Sequence, residues 1–137
     1  MKVRDYKVFW FDLKRVNIQL PWMYTYVQDI TDKDKVNAIF AENGIEEVDF
    51  IQSDMAPNTI WDKETDAIRS IWLLEETLWV YDKYLKPGWK FCTKIFMWPW
   101  FDEYVANLKK RYWWKCIKVF KPESCRRESK ETYVIKV

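Results

Sequence analysis

Residues 53–58 read SDMAPN and follow directly on VDFIQ, so a carboxylate, a proline and an amide stand where an apolar strand ends. In open α/β sheets, ligands sit in the crevice beyond the carboxyl ends of the strands, which makes Asp54 a candidate working residue. Taken alone, the six residues read more simply as a turn, because Asp and Asn side chains bond nearby backbone and proline fixes φ. The chain contains no histidine, which removes the Ser-His and Cys-His catalytic pairs and any histidine-containing zinc site. Any chemistry therefore uses Asp, Glu and Lys. Cys92, Cys116 and Cys125 are odd in number and lack CxxC spacing, so they are expected as reduced, mostly buried thiols.

The elements that must hold these residues follow from the apolar periodicity. KVFWFDL (7–13) is a continuous apolar run ending in an acid, as in a buried parallel strand, and TYVQDI (25–30) is a second, weaker strand. Thr31 with Asp34 makes a capping-box-like helix start, Val36, Ile39 and Phe40 share one face, and Gly44 can stop that helix in the left-handed region. EVDFIQSD (47–54) is a third strand. Apolar residues recur at helical spacing from Glu64 to Tyr84, and KPG (86–88) ends that helix. KFCTKIF (90–96) is a fourth strand, Phe101 to Tyr112 an amphipathic helix, and KCIKVF (115–120) and ETYVIKV (131–137) the last two strands. Alternating strands and helices predict one α/β domain over 1–137 with a mostly parallel sheet.

At 137 residues the chain has the usual size of a single domain. No run approaches the roughly 20 apolar residues of a membrane-spanning helix, and the N-terminus lacks the apolar region of a signal peptide, so an intracellular protein with no membrane partner is expected. Ten Trp against two Gly is far from average usage, and core or interface packing is the simplest account of the excess. YWWK (112–115) is the one place where stacking on nucleotides competes with that account. The net charge of +2 is unevenly placed: residues 29–54 hold eight acids against two lysines, and residues 109–130 nine basic residues against two acids. Such a basic segment is either a solvated face or a surface for a polyanion such as nucleic acid.

SDMAPN, a long helix ending LKPGWKF, then TKIF, FDEY and KPESCRRESKETYVI, in that order and spacing, resemble the FtsJ-like family of S-adenosylmethionine-dependent RNA ribose 2′-O-methyltransferases. The resemblance runs from about Tyr6 to the C-terminus. It implies a Rossmann-like methyltransferase fold with helices on both sheet faces, S-adenosylmethionine as cofactor, and a structured RNA, ribosomal RNA in particular, as partner. It also implies catalytic roles for Asp54, Lys94 and Glu131, donor contacts from Asp12, Asp29 and Asp54, and phosphate contacts from Lys121, Arg126, Arg127 and Lys130. Methylating a ribose 2′-OH requires that hydroxyl to be deprotonated or strongly polarised, and carboxylates beside a lysine position the ammonium.

The sequence departs from the family pattern in two ways. It begins at what resembles the family's second strand, without the first strand, the first catalytic lysine or the glycine-rich donor loop. In addition, Trp61, Trp89, Trp98 and Trp100 occupy positions where family members commonly have Gly, so some of those turns are expected to be rebuilt. Two functions of different class follow: the larger part of a working methyltransferase, or an inactive methyltransferase fold kept as an RNA-binding or structural part of a ribonucleoprotein. In both, another protein chain or RNA is expected to cover either the edge left by the absent strand, near Phe9, Trp10 and Phe11, or the loop from Trp98 to Phe101.

Overall fold

The computed structural model describes residues 6–55, 62–96, 100–123 and 131–137. Residues 1–46 and 47–137 form two compact units. In the first, β1 (Val8–Asp12) and β2 (Met23–Val27) pair in parallel, with Asp12 opposite Val27. Helix α1 (Lys33–Glu42) follows. The rings hold this unit together: Phe9 stacks on Tyr24 at 5.2 Å and Phe11 on Tyr26 at 5.6 Å, and both meet buried Phe40, at 5.7 and 5.5 Å. The helix cap is Asp32, whose carboxylate accepts the Lys35 N–H at 3.3 Å, and not Thr31 as the spacing suggested. The Thr31 hydroxyl is already used, donating to Asp29 at 2.7 Å. Gly44 ends the helix as expected, at φ 67°, with the Ile45 N–H returning to the Phe40 carbonyl at 2.9 Å.

The second unit contains β3 (Val48–Ser53), α2 (Lys63–Tyr84), β4 (Leu85–Phe96), α3 (Phe101–Arg111), a 3-10 turn (Trp114–Cys116), β5 (Ile117–Phe120) and β6 (Glu131–Lys136). These bounds bear out the α/β expectation. Among the described residues the four strands order β3-β4-β6-β5, and β1 and β3 each have one hydrogen-bonded neighbour. The sheet is mixed rather than mostly parallel: β3 and β4 are parallel, whereas β6 runs antiparallel to both β4 and β5. The connection from β5 to β6, residues 121–130, is shorter than the dozen or more residues a parallel crossover needs, so β6 returns beside β5. The Lys-Pro-Gly segment falls inside β4 at a break in the ladder: Leu85 pairs with Val48, and regular pairing resumes at Lys90 opposite Phe50. Pro87 and Gly88, the latter at φ 78°, occupy that break, where no ladder donor is required.

One face of this sheet builds the core. Phe91, Thr93 and Ile95 of β4 and Thr132 and Val134 of β6 are almost wholly buried, with Leu74, Leu78 and Tyr81 of α2 and Tyr104, Val105 and Leu108 of α3. Tyr81 stacks on Phe91 at 4.9 Å with nearly parallel rings, and its hydroxyl shares a 2.8 Å hydrogen bond with Thr93. No tryptophan is among these buried residues, and of the described ones Trp10, Trp22, Trp72, Trp89, Trp100, Trp113 and Trp114 are all exposed. Core packing therefore does not account for the tryptophan excess. Trp61 and Trp98 lie outside the described residues.

Trp100 takes φ 78° and ψ −4° before the first turn of α3, so the backbone conformation that suits glycine is kept there and not rebuilt. A bulky side chain in that region costs about 1–3 kcal/mol. Trp100→Gly is expected to raise stability by about 1 kcal/mol in urea denaturation.

Burial pushes the phenols of Tyr81 and Tyr104 up; burial and then the Asp82 carboxylate push Tyr112 up to about 12. A group whose folded value is raised above the unfolded value, about 10 for Tyr, stabilises the fold below that pH and loses the contribution as pH climbs through the folded value. Stability is expected to fall between pH 10 and about 12, with phenolate absorbance from these three rings appearing together with loss of circular dichroism.

Candidate active site

Strand alternation places the site. Because Phe91, Thr93 and Ile95 face the core, Cys92, Lys94 and Phe96 face the other way. The parallel register sets Ser53 opposite Thr93, so the next residue, Asp54, leaves β3 beside Lys94. Their side chains form an ion pair at 2.5 Å between Nζ and Oδ1, with the Lys94 side chain 15% exposed and that of Asp54 70%. The Lys94 ammonium also lies 5.7 Å from the centre of the Phe96 ring. On the other side of β4, the antiparallel register sets Tyr133 opposite Lys94 and Glu131 opposite Phe96. Glu131 is thus the diagonal neighbour of Lys94 on the same face, at about 7–8 Å between Cα atoms for such a pair. Asp54, Lys94 and Glu131 share one face of three neighbouring strands, and this face gathers them from positions far apart in sequence.

In the first unit, Asp12 ends β1 and Asp29 follows β2, both at the carboxyl end of the parallel pair. One Asp12 oxygen accepts the Lys14 N–H at 2.9 Å, and that bond holds its carboxyl below the usual carboxylate range. Asp29 Oδ1 accepts both the N–H and the hydroxyl of Thr31, at 2.9 and 2.7 Å. Both carboxylates are therefore fixed in orientation.

Of the basic residues singled out in the sequence, Lys121 donates to the Glu131 carbonyl at 3.2 Å, which ties the end of β5 to the start of β6. Arg126, Arg127 and Lys130 lie outside the described residues, as does Cys125, while Cys92 and Cys116 are half-buried free thiols. The register adds two residues that periodicity did not single out. Phe120 pairs with Tyr133, which pairs with Lys94, so a row Phe120, Tyr133, Lys94 crosses the sheet on the site's face. Only strand order and register reveal that row, since the three residues sit in separate segments. Among the described residues no cluster of Cys, Asp or Glu is arranged to hold a metal ion, and no helix is long and apolar enough to cross a membrane.

Parallel strands alternating with helices, with Asp12, Asp29 and Asp54 at or just past strand carboxyl ends, define an α/β protein of the open-sheet class, in which ligands sit at those ends. A ribosomal RNA methyltransferase from Plasmodium falciparum shares the fold, with a TM-score of 0.81 over 95% of this chain and 70% of that one at 20% identity. The FtsJ-like methyltransferase family model matches residues 2–137, and the chain belongs to that family. Two relatives named ribosomal RNA large subunit methyltransferase E are similar along nearly all of it. That of Desulfosudis oleivorans is 41% identical over 133 residues, 96% of this chain and 62% of the relative. That of Syntrophobacter fumaroxidans is 35% identical over 125 residues, 90% of this chain and 61% of the relative. The chain thus spans about three-fifths of the length of these relatives.

An ion pair with one partner so exposed contributes no more than about 1 kcal/mol to stability. Asp54→Asn and Lys94→Met are each expected to stay within about 1 kcal/mol of the unsubstituted protein in urea denaturation. A drop above about 3 kcal/mol would mark the pair as a structural element of the fold.

Proposed function

We propose that the protein is a ribose 2′-O-methyltransferase of large-subunit ribosomal RNA that uses S-adenosylmethionine. The observation that carries this is the Asp54–Lys94 ion pair with Glu131 on the same sheet face, a lysine between carboxylates at the carboxyl end of parallel strands. The names of the relatives support the choice of RNA, and family membership supports the choice of donor.

The orientation of the acids in the first unit fits that donor. Asp12, with one oxygen tied to backbone, keeps acceptor capacity for a pair of ribose hydroxyls, and Asp29 keeps it for an adenine amine. When bound, S-adenosylmethionine supplies a methyl group on a positively charged sulfur. Lys94, ion-paired and largely sheltered, donates a hydrogen bond to the ribose 2′ oxygen and holds it in line. Asp54 anchors that ammonium, and the proton released as the new bond to oxygen forms has carboxylate acceptors in Asp54 and Glu131. Arg126, Arg127, Lys130 and Lys121 serve phosphate contacts in this scheme. The edges of β1 and β3 that lack a strand neighbour among the described residues are where a further strand or partner pairs. An inactive fold retained for RNA binding has less support, because it gives no reason for assembling a lysine and two carboxylates on one face.

The test is transfer of a labelled methyl group from S-adenosylmethionine to large-subunit ribosomal RNA by the full-length protein. Asp54→Asn and Lys94→Met are each expected to lower the rate about 100-fold or more, with RNA affinity little changed. Unchanged rates would remove these residues from the chemistry. RNA binding without any transfer by the unsubstituted protein would favour the inactive alternative.

A further inference from the structure

Trp113 and Trp114 stand side by side on the surface, 63% and 61% exposed, although Ile117, three residues on, is buried in the core. The turn that carries them is tied down on both sides. The Cys116 N–H donates to the Trp113 carbonyl at 2.8 Å, and the Val137 N–H donates to the Cys116 carbonyl at 2.8 Å, anchoring the turn to the chain end beyond β6. The Lys115 ammonium lies 5.2 Å from the ring centre of Trp113 and 5.6 Å from that of Trp114, so one cation faces both rings. From residue 104 to residue 122 there is no acid, while Lys109, Lys110, Arg111, Lys115, Lys118 and Lys121 supply positive charge. Arg111 is bound to Asp82.

We propose that the Trp113–Trp114 pair is a stacking platform for unpaired bases of the RNA, holding a single strand that flanks the methylated nucleotide. The inference rests on the proposed action on RNA and adds to it a binding surface outside the Asp54–Lys94–Glu131 constellation. The mixture of groups selects the occupant. A surface that binds protein buries aromatic rings but is depleted of lysine, whereas binding of single-stranded nucleic acid combines aromatic faces for the bases with lysines for the backbone. A duplex offers no free base faces, so the strand on the platform is unpaired.

Position in the fold supports a flanking role. The turn leads into β5, whose far end carries Phe120, and Phe120 is the first residue of the row that continues through Tyr133 to Lys94. The three residue steps from Ile117 to Phe120 span about 10 Å. RNA resting on the tryptophans therefore extends along β5, past Lys118 and Lys121, towards the reacting ribose.

The experiment measures binding of a fluorescein-labelled 12-nucleotide single-stranded RNA by anisotropy across a salt series. The proteins compared are the unsubstituted chain, Trp113→Ala with Trp114→Ala, the same pair changed to Phe, and Lys115→Ala with Lys118→Ala. The alanine pair is expected to weaken binding about tenfold or more with an unchanged salt slope, since stacking is removed while the same phosphates stay neutralised. The phenylalanine pair recovers most of the affinity. The lysine pair lowers the slope by about 1.4, at about 0.7 for each phosphate no longer neutralised. Both tryptophans are exposed, and thermal melts of each variant confirm that its fold is intact. If the alanine pair binds RNA like the unsubstituted protein, or if it instead abolishes self-association in sedimentation, the stacking platform is overturned while the action on RNA stands. If the unsubstituted protein binds no RNA, both fall.

Discussion

The candidate site depends on the burial of one face of β4. Phe91, Thr93 and Ile95 are sealed against α2 and α3, with the Tyr81 ring on Phe91 and its hydroxyl on Thr93. A slip of one residue would reverse both faces, exposing those three side chains and driving the Lys94 ammonium into the core, at a cost of several kcal/mol for an unpaired buried charge. The register is therefore determined by hydrophobic burial, not by the polar groups that use it. Once β4 is set, the parallel pairing with β3 delivers Asp54 and the antiparallel pairing with β6 delivers Glu131 and Tyr133.

The division of aromatic residues follows from the same limit on interior space. The buried aromatic rings among the described residues are Phe40, Phe91, Tyr81, Tyr84 and Tyr104, the phenols of Tyr81 and Tyr104 being pushed up by burial, and no described tryptophan is among them. Solvent-facing indole area in such amounts is unusual for surface that nothing covers. At Trp113 and Trp114 it coincides with a run free of acids, which gives that area a positive electrostatic character.

Charge follows the course of the chain. Acids gather from residue 29 to residue 54, at and before the carboxyl ends of parallel strands, and basic residues gather from residue 109 onward. Within α3 the order also suits the helix dipole: Asp102 and Glu103 stand in the first turn and Lys109, Lys110 and Arg111 in the last. One stretch of sequence thus caps a helix electrostatically and supplies the basic side of the proposed RNA surface.

Much of the fold was legible in the sequence. Among the described residues the strands and α-helices fall on their periodic segments, with β4 beginning earlier, at Leu85 rather than Lys90, because apolar spacing of two or of 3.6 is imposed locally by burial of one face. Order and spacing of SDMAPN, TKIF and KPESCRRESKETYVI were enough to indicate the family and to nominate Asp54, Lys94 and Glu131. Three things required the tertiary structure. The antiparallel insertion of β6 between β4 and β5 depends on a connection too short for a crossover, and strand order has no local signature. The exposure of the tryptophans depends on which residues the core had room for, which hydrophobicity alone does not decide. The 2.5 Å ion pair of Lys94 with Asp54, and the row from Phe120 through Tyr133 to Lys94, arise from register. Register is a property of pairs of strands distant in sequence, set by the joint burial of their inner faces, and no single segment contains it.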